Sequence, residues 1–282
     1  MSGRWMKMVE LPRPYLFVVP AAAGICGLFL SEQDPGIIAT SLATFIPVLA
    51  WAGGQVFNDY FDIEVDEIKY PDFPIPSGII SKRGAFIYGL SLYSVCLILS
   101  AYVGIYCLAA SVLAISFASI YGYAGKLKQK GLNRNLCFGL AVAMCILIGS
   151  TIGGKILMIS LVVMLAIMLI YTSDNIIGRI PDVKLDDQMD INTLPLQIGI
   201  KQSANLALIL TIAAAGITMS LWALELNIRY IPIAFIANSS LIWLAFSVSR
   251  DPEGSGTLTT ILLRYMGHML LFMSLIVGTT GW

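Results

Sequence analysis

Two short stretches of this chain hold most of its acid. Asp59, Asp62, Glu64, Asp66, Glu67 and Asp72 fall in the first, and Asp174, Asp182, Asp186, Asp187 and Asp190 in the second. The first contains NDYFDIEVD (58–66), where Asn58, Asp62 and Asp66 recur at i, i+4 and i+8. If that segment is helical, the three line one face. The second contains DVKLDD (182–187), with Asp182 and Asp186 again at i and i+4. Like charges at this spacing repel, so the pattern is costly unless a cation sits among the carboxylates. Hard oxygen donors in small groups suit Mg2+, which takes a few carboxylates together with phosphate oxygens rather than an all-protein cage. The chemistry this points to is metal-assisted handling of a phosphorylated substrate where two acidic faces meet.

Both motifs follow long apolar runs. The chain has 282 residues, 57% hydrophobic and 12% charged, with a mean hydropathy of +0.82. Soluble domains carry about 25% charge, so the composition excludes a soluble fold and requires a polytopic membrane protein, with the lipid bilayer as its surroundings. Stretches of about 20 apolar residues can cross a bilayer as helices. Nine are predicted, over 14–31, 36–56, 84–102, 104–123, 135–152, 155–177, 203–223, 229–248 and 261–281. The first is read as a retained span rather than a signal peptide, because no small-residue cleavage site follows it. Two connections are long, at 57–83 and 178–202, and each carries an acidic motif. The motifs therefore follow the second and sixth spans. This predicts an all-α membrane domain over 1–282, with two four-helix units and a ninth helix around a central cavity.

Lysines and arginines set orientation. In the nine-span arrangement 15 of the 17 fall on one side, and only Lys155 and Arg229 on the other. The N-terminus and both long loops are thus predicted to be cytoplasmic. Net charge is zero, which gives no ground for a nucleic-acid partner. Five cysteines without CxxC spacing, Cys26, Cys96, Cys107, Cys137 and Cys145, are read as small core groups.

NDYFDIEVD followed by YPDFPIPSG (70–78) resembles the first signature of the UbiA-type intramembrane prenyltransferases of aromatic and lipid acceptors. DVKLDD followed by TLPLQIG (193–199) resembles the second. The basic loop YGYAGKLKQKGLNRN (121–135) is similar to a segment in which the family pairs a Tyr with a Lys. The resemblance spans about residues 10–280. It implies a Mg2+-dependent enzyme that ionises an allylic prenyl diphosphate and passes the prenyl group to a small or lipid acceptor. It further implies that Asn58, Asp62 and Asp66 hold one Mg2+ and Asp182 and Asp186 another. Asp62, Asp182 and Asp186 are then central to catalysis. Metal ions held this way neutralise the charge that grows on a departing diphosphate.

Lys126 or Lys128, with Tyr121 or Tyr123, are candidates for gripping the phosphates, although each Tyr lies five residues before its Lys and the family's strict Tyr-x-x-x-Lys spacing is absent. Asn135 matches a family asparagine, with helix capping as the competing role. Tyr60, Phe61 and Phe73 stand where aromatic faces could stabilise an allylic cation; the alternative for each is an interfacial anchor. The family often has basic residues where this chain has Phe73, Asp187 and Asn192. Arg179, where archaeal members often have aspartate, restores one charge.

Two rivals use the same spans. A terpene cyclase on this scaffold would need no acceptor. A transporter would place its polar groups near the bilayer midplane, whereas these acids cluster at span ends. His268 is the one histidine and no HExxH exists, which excludes a zinc metalloprotease; it is read as a packing or lumen-lining residue. Donor chain length and acceptor identity are left open, with aromatic acid, quinone precursor and glycerophosphate lipid all compatible.

Overall fold

The computed structural model describes residues 2–224, 226–252 and 258–279. Its helices are α1 (Ser2–Glu10), α2 (Val18–Phe29), α3 (Ile37–Phe61), α4 (Ile63–Lys69), α5 (Lys82–Val103), α6 (Ile105–Lys126) and α7 (Leu132–Ile152). They continue as α8 (Met158–Ile177), α9 (Val183–Gln188), α10 (Leu194–Ile198), α11 (Ile200–Met219), α12 (Ile231–Arg250) and α13 (Leu258–Thr279). Among the described residues, eight helices are long and apolar enough to cross a membrane. A ninth span results if α2 and the segment before it, bent by 50°, count as one.

That bend is where the structure differs from a single first span over 14–31. Pro12 and Pro14 flank Arg13, and residues before proline disfavour helix. Arg13 adopts the left-handed conformation, φ 55° and ψ 65°, which is uncommon for a residue with a side chain. The chain stops α1, turns at Arg13 and enters α2 only at Val18. The strained residue is held by its own side chain, which donates to Asp59 at 2.7 Å and Gln55 at 2.9 Å on α3.

The long helices form a closed ring. α2 packs on α3 and α7, α3 on α5 and α6, and α6 through α8 pack in sequence. α8 then meets α11, α11 meets α12, α12 meets α13, and α13 returns to α2. The α2–α7 seam depends on glycine: a methyl at Gly149 would overlap the Gly24 carbonyl, and one at Gly27 the Ile146 carbonyl. Without a hydrophobic force between helices in lipid, such backbone approach supplies van der Waals attraction instead. Cys26, Cys96, Cys107 and Cys145 are buried, as core groups should be, and Cys137 is partly buried. At one end of the ring two short strands pair in parallel, β1 (Gln129–Lys130) with β2 (Asn192–Thr193). They tie the α6–α7 turn to the segment after α9.

Gly149→Ala should destabilise the protein by about 1–3 kcal/mol, the usual cost of overpacking. Gly216→Ala, whose methyl would meet nothing within 4 Å, should be neutral or stabilising by up to about 1 kcal/mol, as helix propensity predicts. Thermal unfolding of both variants in one detergent checks the pair.

Candidate active site

α3 runs on to Phe61, past the expected end at 56, so Asn58 occupies its last turn. The helix breaks at Asp62 (φ −89°, ψ 10°) and resumes as α4. Helical hydrogen bonding bridges the break, with the Asp62 N–H donating to the Asn58 carbonyl at 2.9 Å and the Asp66 N–H to the Asp62 carbonyl at 2.8 Å. The i, i+4, i+8 relation survives, and both aspartates are buried. In the second motif Asp182 precedes α9 and Asp186 lies in its first turn. Lys69, at the end of α4, joins the motifs: its Nζ lies 2.6 Å from Asp186 Oδ1 and 3.7 Å from Asp182 Oδ2.

A buried arginine organises the other side. Arg134 on α7 is 2% exposed. Its guanidinium donates to the Tyr121 carbonyl at 2.9 Å and to Asn58 Oδ1 at 3.2 Å, lies 3.6 Å from Asp62 Oδ2, and covers the Tyr121 ring at 3.8 Å. The Tyr121 hydroxyl in turn accepts from Arg179 at 3.1 Å and Asn175 at 3.3 Å. Burial works against the charge on Arg179, but Tyr121, Asp62 and Asp182 outweigh it, so its pKa is raised and it stays a cation.

Among the described residues, no three acidic, His or Cys side chains converge tightly enough to hold an ion unaided. The donor set nevertheless fits a hard cation that brings other oxygens with it. Asp186 is wholly buried and its Oδ2 has no hydrogen-bond partner in the described residues. The Lys69 ammonium already stands as a cation between Asp182 and Asp186. Asn58, Asp62 and Asp66 on one side, with Asp182 and Asp186 on the other, could hold Mg2+ whose shell is completed by phosphate and water oxygens.

Three cavities meet at Asn58. The first, about 900 Å³, is lined by Asp62, Asp66, Lys69, Phe73, Arg179 and Asp182. The second, about 910 Å³, is lined by Gln55, Tyr121, Asp174, Arg264 and His268 together with Arg13 and Arg179, which it shares with the first. The third, about 480 Å³, has walls of Ala50, Gly54, Ala114, Ala118, Ala141 and Cys145, and shares Trp51, Tyr121 and Phe138 with the second. An ionic chamber, a polar chamber and an apolar groove are therefore contiguous. That arrangement suits a substrate with an anionic head and a hydrocarbon tail.

Asn58, Asp62, Asp66, Phe73, Tyr121, Arg179 and Asp182 line these cavities, and Asp186 reaches them through Lys69. Phe73 stacks on Tyr70 with centroids 4.6 Å apart, and Arg13 stands 6.0 Å from its ring. Other expected residues lie elsewhere. Tyr60 packs against Phe57, Phe61 and Phe86 with Lys82 over its ring, because residues 60 and 61 turn to the α5–α6 flank of α3. Tyr123 is exposed and touches Phe61 edge-on. Lys128 donates to the Met189 carbonyl at 2.9 Å, bracing the strand pair rather than facing the acids. Asn135 donates back to the Gly131 carbonyl at 3.2 Å, inside the first turn of α7 rather than at its N-cap. The side chain of Lys126 lies outside the described residues. Asn192 bonds Gln129 and Gln197, and Asp187 is exposed, so neither position adjoins the ionic chamber.

Lys69, Arg134, Arg13 and Arg264 entered the sequence reading only as topology signals. Their pairing across helices has no short-range signature. Asp174 gave a better clue, as an acid within an apolar run, where ionisable residues are rare and functional.

The sequence profile described as the UbiA prenyltransferase family matches residues 17–276. The digeranylgeranylglyceryl phosphate synthase of Thermococcus sibiricus is 29% identical over 247 residues, 87% of each chain. That of Methanopyrus kandleri is 30% identical over 212 residues, 74% of this chain and 76% of its own. A solved structure concerned with digeranylgeranylglyceryl phosphate synthase in membranes superposes with a TM-score of 0.80 at 25% identity, covering 99% of this chain and 100% of that one. A UbiA homologue from Archaeoglobus fulgidus bound to GPP and Mg2+ shares the fold, with a TM-score of 0.77 at 15% identity over 96% of this chain and 99% of its own. With its acidic motifs, helical ring and site assembled in this way, the chain belongs to the UbiA prenyltransferase family, whose members transfer prenyl groups from their diphosphates.

Proposed function

We propose that this prenyltransferase moves a geranylgeranyl group from its diphosphate onto a hydroxyl of a geranylgeranylglyceryl phosphate-type lipid, with Mg2+ as cofactor and the site facing the cytoplasm. The observation that carries this reading is the meeting of three cavities at Asn58. It gives separate room for a diphosphate, a prenyl tail and a second, anionic substrate. The polar chamber is lined by Arg13, Arg179 and Arg264, and guanidinium groups are suited to a phosphate monoester. An acceptor-free cyclisation has no use for that chamber. The relatives named above, which make a lipid with two geranylgeranyl groups on glyceryl phosphate, supply the acceptor class.

Bound Mg2+ would supply charge neutralisation of the departing diphosphate. The protein's own groups do the rest. Asn58, Asp62, Asp66, Asp182 and Asp186 form the cation site, while Lys69 and Arg179 add positive charge beside the leaving group. Arg134 holds Asn58 and Tyr121 in place. Tyr121, Trp51 and Phe138 border the groove where the allylic carbon would lie, and their faces favour a cation there. The small-residue walls accept the tail and keep water away.

Asp62→Asn and Asp186→Asn, which keep the buried side chains' shape and an oxygen acceptor for Arg134 and Lys69, should each abolish Mg2+-dependent product formation, followed by mass spectrometry, in protein that remains folded in detergent. EDTA should silence the wild type, and added Mg2+ should restore it. Near wild-type rates in both variants would refute the metal assignment.

Ala118→Phe should fill the groove and shift preference from geranylgeranyl to geranyl diphosphate. Each CH2 left without burial is worth about 0.8 kcal/mol, so competition between the two donors should change by at least about tenfold.

Cysteines introduced at Asp187 and at Gln33 should label from opposite sides of the membrane, position 187 from the cytoplasm. Labelling of both from one side would refute the topology.

A further inference from the structure

The residues assigned above account for the departure of diphosphate but leave the acceptor's proton without a destination. As a C–O bond forms at an alcohol oxygen, the hydroxyl proton becomes acidic and must leave, in a chamber walled by membrane helices. Most nearby carboxylates are already bound to cations. Asp59 accepts from Arg13 at 2.7 Å, Asp62 lies 3.6 Å from Arg134, and Asp186 lies 2.6 Å from Lys69.

His268 is different. It is the one histidine in the chain, 2% exposed on α13, and it lines the same chamber as Asn58, Tyr121 and Arg179. Its Nε2 lies 3.0 Å from Asp174 Oδ2, and its ring stacks on Tyr171 with centroids 4.6 Å apart. Asp174 also lies 3.7 Å from Arg264 Nε. The charged and titratable groups around the imidazole are thus Tyr171 and Asp174 from α8, with Arg264 and Tyr265 from α13 lining the same chamber. An intramembrane ionisable pair is costly to bury and rare without a function. A carboxylate this close to the ring nitrogen favours the imidazolium that forms when histidine takes up a proton, which is how a neighbouring acid makes histidine a better base.

We propose that His268, with the Asp174 carboxylate beside it to favour the imidazolium, is the catalytic base that accepts the proton of the acceptor hydroxyl. This rests on the reading above that the acceptor is a glycerophosphate lipid. The bond between the allylic carbon and the diphosphate oxygen breaks, and diphosphate leaves with the electron pair. A lone pair of the hydroxyl oxygen forms the new C–O bond, and the O–H proton passes to His268. The proton is later released to solvent, so the sum is prenyl diphosphate plus alcohol giving ether, diphosphate and one proton.

The test compares the glycerophosphate lipid with an analogue carrying a thiol in place of the reacting hydroxyl, since a thiol is a far stronger acid than an alcohol and depends less on a base. His268→Gln should lower turnover of the alcohol about 100-fold or more, within the range for general base catalysis, and turnover of the thiol less than about 10-fold. Asp174→Asn, a change at a positioning residue, should shift the same ratio by a smaller factor, and added imidazole should partly restore His268→Ala. Equal losses on both acceptors would overturn the proposal. Should His268→Gln fail to fold, the ratio in Asp174→Asn decides. Wild-type enzyme that consumes donor but never alkylates the glycerophosphate lipid would instead refute the acceptor assignment, a distinguishable result.

Discussion

A guanidinium buried among membrane helices is the constraint around which this site is arranged. Taking Arg134 out of water costs several kcal/mol unless its donors are met, and they are met by groups from other helices: the Tyr121 carbonyl of α6 and Asn58 of α3, with Asp62 close by. Satisfying that one cation fixes the spacing of α3, α6 and α7 at the end where the acids lie. Its stacking on the Tyr121 ring then leaves the tyrosine hydroxyl to Arg179 and Asn175 from the α8 end. Four segments are thereby registered by a single side chain, and removing a partner of such a buried charge is generally far costlier than the pair is stabilising.

Electrostatic balance explains how so many carboxylates tolerate one another. Each acidic motif is matched by a protein cation brought from elsewhere: Arg13 to Asp59, Arg134 to Asp62, and Lys69 to Asp186 and Asp182. The compensation is incomplete at Asp186 Oδ2, which leaves the second motif able to take a further cation. Protein cations thus hold the acids together within the structure itself.

The framework that carries these groups is built from close backbone contact rather than from large side chains. Glycines in α2 and α7 bring their backbones together, and the two-residue strand pair fastens the α6–α7 turn to the segment beyond α9. Lys128 belongs to that fastening through Met189. A basic residue in a loop similar to a phosphate-gripping segment can therefore act in architecture instead. Arg13 shows the converse: a residue counted for topology is strained at φ 55° and aimed into two cavities.

Hydropathy, basic-residue placement and two aspartate motifs were legible without coordinates, because apolar length and i, i+4 spacing are local properties that the chain carries in any context. They determined a helical membrane protein with spans near those observed, the face shared by Asn58, Asp62 and Asp66, and the family. The bend at Arg13 was signalled by Pro12 and Pro14 yet absorbed into a longer apolar run, since window averages ignore a single broken turn. Tertiary structure alone decided which side chains converge. It turned Tyr60 to the outer flank, gave Lys128 to the strand pair, and set Lys69 beside Asp186, Arg134 beside Asn58 and His268 beside Asp174, partners 76 to 117 positions apart in sequence. The physical reason is that a buried charge finds its partner through helix packing, and packing depends on three-dimensional contacts that no spacing along the chain encodes.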